Sequence, residues 1–248
     1  MLSGDELEGF ARDGILRVRR AFGAADAARM RDGIWAELAE LYGMRPDDRR
    51  TWEPHRPTRL KVSKRDPAAD AILGPVLRGV LDQLLGEWVE PPHQGQVLVT
   101  MPTGEPWVVP HRLWHTDVGF DLPRDRLVAV KVWALLGDVE AGGGGTPQVL
   151  GSHRVIRQQL ESLKEPDLKT FRDEVLGSHE WFRQLCKADR EVDPMVEADV
   201  DGIPVRVVEL TGKAGDTFVT HPWVLHSIAP NARDTPRMMR SRMMWRKD

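Results

Sequence analysis

Apolar residues recur at helical spacing over 24–42, where Ala27, Met30, Ile34, Leu38 and Leu41 share one face. A second helix is expected over 70–85. Ile72, Val76, Val80 and Leu84 keep register there, and Gly86 supplies a stop. Gly74-Pro75 interrupts the register, so the helix kinks at that point or begins at Pro75. A short helix over 6–13, capped by Ser3 or Asp5, precedes a strand at 14–18. The segment 45–57 is charged, contains proline and has the pattern of a loop; 60–63 fits a strand or a lining loop.

From residue 95 the period changes to two. Strands are expected over 95–101, 127–136, 146–150, 204–210, 217–220, 225–228 and 237–245. In the second of these, Val128, Val130 and Val132 alternate with other residues. A glycine turn at 142–145 separates two strands, and 154–189 looks helical and polar. Helices first and many short strands after predict an all-β core with flanking helices. The expected organisation is one domain over 1–248, with a helical lead-in over 1–90. A β core over 91–248 follows, interrupted by a helical insertion at 154–200.

Composition narrows the function classes. A net charge of -3 over 248 residues, with basic residues scattered, implies no nucleic-acid partner. Cys186 is the only cysteine, which excludes a disulfide framework and a thiolate zinc site. The first eight residues are polar and acidic rather than signal-like, and no apolar run approaches a membrane span. A cytoplasmic protein without a membrane partner is the expectation.

The candidate chemistry starts at His115-Thr116-Asp117. On a strand, residues two apart point to one face, so this imidazole and this carboxylate can converge on one ion. A second histidine comes from downstream. His226 is preferred over His221, which Pro222 follows and which is expected to end a strand. Two histidines and a carboxylate with open positions suit Fe(II). His153 has the look of a turn residue, and His55, His93 and His179 of ordinary polar positions.

The ordered set of motifs resembles the phytanoyl-CoA dioxygenase family of Fe(II)/2-oxoglutarate oxygenases. It comprises Trp114-His115-Thr116-Asp117, Trp133, Gly143-Gly144-Gly145-Thr146, Gly151-Ser152-His153, Gly215-Asp216, His221-Pro222, and His226 with Asn231 and Arg237. The resemblance implies a double-stranded β-helix, or cupin-like jelly roll, with iron at one mouth. It makes His115, Asp117 and His226 the iron ligands and Arg237 the partner of the distal carboxylate of 2-oxoglutarate. Trp133 and Lys61 match residues around the cosubstrate, and Met101 is expected to line the same pocket. Arg240 and Arg242 are expected to be exposed strand arginines. One departure is visible: Ile228 stands where the family often carries a hydroxyl, and Ser227 is one step early.

The implied activity consumes Fe(II), 2-oxoglutarate and O2. It couples decarboxylation to succinate and carbon dioxide with hydroxylation of an unactivated C–H of a small molecule. An intact carboxylate at Asp117 favours hydroxylation over halogenation, because related halogenases replace it with a small residue. His111 and Arg112 are candidate substrate contacts, the insertion 154–200 is a candidate lid, and no basic groove for a CoA phosphate is evident. Two alternatives stay open: a jelly-roll metal enzyme that does not use 2-oxoglutarate, and a non-catalytic binding module.

Overall fold

The helical lead-in follows its local signals. Ser3 caps α1 (Gly4–Asp13) through a full capping box with Glu6, and β1 (Ile15–Val18) follows. The long amphipathic helix α2 (Ala24–Tyr42) buries Ala27, Met30, Ile34 and Leu38. The interruption at Gly74-Pro75 is a break: a 3-10 helix over Pro67–Leu73 ends there, and α4 (Pro75–Leu85) starts on its proline. The segment at 60–63 departs from a strand. It forms the short helix α3 (Lys61–Lys64), because Glu37 of α2 accepts the backbone N–H groups of Val62 (2.8 Å) and Ser63 (2.7 Å). Burial alone would push the Glu37 carboxyl up, but these hydrogen bonds outweigh it and hold the carboxyl below its ordinary value.

The computed structural model describes residues 1–91, 95–161, 176–177 and 179–247, so His93 lies outside the described residues. The strands are β2 (Trp88–Val89), β3 (Gln96–Thr100), β4 (Ala129–Leu135), β5 (Pro147–Leu150), β6 (Ala198–Val200), β7 (Ile203–Glu209), β8 (Thr217–Thr220) and β9 (Arg237–Arg246). They form two antiparallel sheets. The larger runs β1-β8-β4-β9-β2, with β3 also on β9, and the smaller runs β5-β7-β6. With the helices packed outside, this is the expected β core with flanking helices in a jelly-roll arrangement.

The central strand β4 is buried along its whole length. Val130, Val132 and Ala134 pack with Met30, Ile34, Leu77 and Leu81 of the helical layer. Trp133 and Leu135 point the other way and pack with Phe218 and Met239. On β9 the same alternation sends Met238 to the helical core and Met239 to the interior. Arg240 therefore lies beneath the helices, 2% exposed and donating to the Ser63 carbonyl, not on an exposed face. Arg242 is half-buried and donates to the Pro91 carbonyl.

The insertion is less polar than its composition suggests. α5 (Ser152–Glu161) and α6 (Glu180–Leu185) bury Val155, Ile156, Leu160, Trp181 and Phe182 against Val149, Val205 and Val207 of the smaller sheet. Residues 162–175 and 178 of the candidate lid lie outside the described residues.

His153 sits in α5 rather than in a turn, 7% exposed and donating from Nε2 to the Ala11 carbonyl at 3.2 Å. It stacks on His221 with ring centroids 4.8 Å apart. Burial pushes the His153 imidazole down to about 4 from its ordinary 6.5. The folded state thus binds fewer protons than the unfolded chain between those values, and stability falls as pH drops through that window. The expected loss is on the order of 3 kcal/mol. Urea unfolding from pH 7 to 4 will show this acid limb flattened in His153→Gln; an unchanged limb would refute the assignment.

Candidate metal centre

His115, Asp117 and His226 each offer one ligand atom, and those atoms all lie within 4.8 Å of one another. No regular strand carries them. His115 and His226 face each other in a single antiparallel bridge, with His115 N–H to the His226 carbonyl at 3.1 Å and the reverse bond at 3.0 Å. That pairing holds the ring centroids 4.3 Å apart. His226 also bridges to Gln148, which ties it to β5 of the smaller sheet. Asp117, two residues after His115, turns into the same cavity.

The imidazoles are oriented for a metal. The His115 Nδ1–H donates to the Leu113 carbonyl at 2.7 Å, and the His226 Nδ1–H to the Val224 carbonyl at 3.1 Å. Both Nε2 atoms are thereby left as lone-pair donors. Leu113 holds a left-handed backbone (φ 62°) where it presents its carbonyl. Burial pushes the His226 imidazole below its ordinary value and keeps it neutral. Burial works against the Asp117 carboxylate, but the ion pair with Lys131 opposes it, and the group is held well below the carboxylate range. A neutral His226 imidazole and an ionised Asp117 carboxylate are protonation states that a divalent cation requires.

Lys131 is a site residue that the sequence pattern did not single out. It projects from β4 on the same side as Trp133, 7% exposed, and ion-pairs with Asp117. Its Nζ lies 4.2 Å from the Trp133 ring centroid, and that ring meets His226 edge-on at 5.1 Å. The Trp133 indole N–H donates to Thr220 at 3.0 Å and is fixed by it. The signal for Lys131 lay in the alternation itself, which puts 131, 133 and 135 on one face of the strand.

The triad opens into a cavity of 610 Å³ that Arg237, Trp133 and Lys61 also line. Arg237 is 5% exposed. Its guanidinium donates to the Gly144 carbonyl (2.9 Å), the Leu98 carbonyl (3.3 Å) and Thr100 Oγ1 (2.7 Å). Gly144 turns its carbonyl inward from a left-handed backbone (φ 74°), and an added Cβ would stand 3.0 Å from Asn231. Glu209 fastens this turn by accepting from the N–H groups of Gly142 and Gly145. No carboxylate pairs with Arg237 among the described residues. Burial pushes the guanidinium down to about 10, with Arg56 adding repulsion. Glu209 opposes that repulsion from a distance, without an ion pair, and the guanidinium stays charged at neutral pH.

Three expected contacts fall elsewhere. Met101 is fully buried in the helical core rather than in the cavity wall. His111 and Arg112 do not line the cavity; the Arg112 carbonyl accepts from Ser227 Oγ at 2.7 Å. Ser227 and Ile228 both line it, with the Ser227 hydroxyl already engaged. His221 stays with His153, outside the triad. Among the described residues, none of 154–200 lines the cavity; the facing wall is the segment 56–64.

The fold has solved counterparts. SnoK, a non-heme alpha-ketoglutarate-dependent carbocyclase from nogalamycin biosynthesis, is 18% identical with a TM-score of 0.57, over 100% of this chain and 85% of that one. HygX from Streptomyces hygroscopicus, solved with nickel and 2-oxoglutarate, is 14% identical with a TM-score of 0.57, over 100% and 88%. EctD from S. alaskensis, solved with 2-oxoglutarate and 5-hydroxyectoine, is 18% identical with a TM-score of 0.57, over 99% and 76%. No curated protein matches the sequence. The family model for phytanoyl-CoA dioxygenase matches residues 10–239, a span that takes in the triad and Arg237, and the chain belongs to that family.

Proposed function

We propose that this chain, an Fe(II)/2-oxoglutarate-dependent dioxygenase by its family, hydroxylates an unactivated C–H bond of a small molecule held beside the triad. Succinate and carbon dioxide are the co-products. One observation carries the reading: a buried Arg237 without a carboxylate partner shares a cavity with a complete two-histidine, one-carboxylate set. An uncompensated buried charge is costly. A site that receives a dicarboxylate gives that cost a purpose, which a metal enzyme without 2-oxoglutarate does not.

His115, Asp117 and His226 would hold the iron, which supplies dioxygen activation when bound. Arg237 would take the distal carboxylate of 2-oxoglutarate in bidentate fashion, with Thr100 and Gly144 holding the guanidinium plane. Lys131 steadies the Asp117 carboxylate, and Trp133 lines the cavity beside His226. Lys61 lines the same cavity from α3. Related halogenases carry a small residue in place of this carboxylate, so the intact Asp117 supports hydroxylation as the outcome.

Under anaerobic conditions, 2-oxoglutarate added to the Fe(II) protein is expected to give a visible charge-transfer absorption. Absence of that band defeats the cosubstrate assignment. In air, a small-molecule panel scored for succinate release should then yield a product bearing one oxygen atom from labelled dioxygen. A desaturated or chlorinated product would sink hydroxylation while leaving the oxygenase intact.

A further inference from the structure

Among the described residues, six cationic side chains line the cavity (Arg56, Arg59, Lys61, Lys64, Lys131 and Arg237) against a single carboxylate, Asp117. The chain as a whole carries a net charge of -3, so this is a local concentration of positive charge. Loading the site does not remove it. A divalent metal and a dianionic cosubstrate cancel each other, and the excess of cations survives. Lys131 is taken by Asp117, and Arg237 lies deep in the wall. The other four stand on one stretch, 56–64, and none pairs with a carboxylate among the described residues.

That stretch is fixed in place. Its start is held by the Met101 N–H on the His55 carbonyl at 2.8 Å. Its middle is held by Tyr42, whose hydroxyl donates to the Thr58 carbonyl and accepts from the Thr58 N–H at 3.2 Å. Its end is held by the Glu37 carboxylate on Val62 and Ser63 and by Arg240 on the Ser63 carbonyl. Arg59 keeps a left-handed backbone (φ 66°) within it, a strained conformation for a residue with a Cβ. Cations on an anchored wall lose less freedom on binding than cations on a loose loop. The cavity, at 610 Å³, falls in the range of roughly 300–1,000 Å³ that accommodates drug-sized ligands, which leaves room beside a five-carbon cosubstrate.

We infer that the molecule oxidised here is an anion, a phosphate ester or a carboxylate, and that Arg59 and Lys64 bind its charged group across the cavity from the metal. This rests on the function proposed above. Arg56 is set apart because its charge already acts on Arg237, and Lys61 because it resembles a cosubstrate contact. Ile228, 38% exposed and lining the cavity, gives the neighbouring part of the substrate an apolar surface.

The test uses protein loaded with Ni(II) and saturated with 2-oxoglutarate. Glycerol 3-phosphate and butyrate, which chelate nickel poorly, serve as phosphate and carboxylate probes and glycerol as the neutral control, all followed by calorimetry. At least one anion should bind while glycerol does not, and binding should weaken with added salt. The charge reversal Arg59→Glu with Lys64→Glu should weaken it by on the order of 10-fold or more. The milder pair Arg59→Gln with Lys64→Gln should weaken it less, and melting curves of both pairs report folding. The stronger probe tells phosphate from carboxylate. The inference is overturned if neither anion binds, if both variants bind as the parent does, or if the probe lowers the affinity for 2-oxoglutarate, which would place it on Arg237. Failure of the loaded protein to bind 2-oxoglutarate at all is a separate result, and it brings down the proposed function itself.

Discussion

Replacing Asp117 with alanine is expected to weaken Ni(II) or Fe(II) binding by at least about 100-fold and to abolish succinate release, because lost outer partners of metal ligands alone cost roughly 10–100-fold. Two effects act together. The variant removes the one carboxylate that lines the cavity among the described residues, which is the anionic member of the triad. It also strips Lys131 of its partner, leaving a buried ammonium facing two imidazoles where a cation must enter. Asp117→Asn separates these effects from loss of volume: it keeps the shape, removes the charge and should bind metal nearly as poorly. Metal titration monitored by calorimetry, with circular dichroism as the check on folding, reads both variants. Stoichiometric, tight binding in Asp117→Ala would refute the triad. His221→Ala is the informative contrast. His221 stacks on His153 away from the other ligand atoms, so metal stoichiometry should survive its removal.

The contrast between these two histidines also shows where the sequence was sufficient. His115 and Asp117 were legible from spacing, and His226 from its place after a strand-turn-strand unit. Their actual support was not, because two isolated bridges rather than two strands hold them. The helices were legible down to the break at Pro75, since proline and glycine act locally. Arg240 was not, because alternation gives the face of a strand but not whether helices cover that face. Lys131 was hidden for the same reason: on a strand buried on both sides, a lysine needs a partner that only the tertiary fold supplies. The basic wall at 56–64 resembles a solvated loop by composition. It becomes part of the site only through Glu37, Tyr42 and Arg240, each distant in sequence. No helix among the described residues is long and apolar enough to cross a membrane, as the lack of long apolar runs implied.

Arg237→Met should raise the dissociation constant of 2-oxoglutarate by roughly 100-fold, equivalent to about 3 kcal/mol for losing one partner of a buried charge pair. Metal affinity should hold, because the triad ligands are not among the Arg237 contacts. The free protein offers a second readout. Without cosubstrate, the parent carries a buried guanidinium whose hydrogen-bond partners among the described residues are two carbonyls and a hydroxyl, with Arg56 repelling it and Glu209 attracting it from a distance. Saturating 2-oxoglutarate should therefore raise the melting temperature of the metal-loaded parent, since a ligand that binds only the folded state stabilises it by mass action. The same addition should leave Arg237→Met almost unmoved. Arg237→Lys keeps the charge but not the planar fork, so it should recover only part of the affinity. With 2-oxoglutarate raised to saturation, turnover in Arg237→Met should return towards the parent, a KM effect more than a kcat effect. If 2-oxoglutarate binds Arg237→Met as tightly as the parent, the anion that this buried cation awaits is not the cosubstrate. In that event the guanidinium joins the basic wall of 56–64 as a further contact for the substrate.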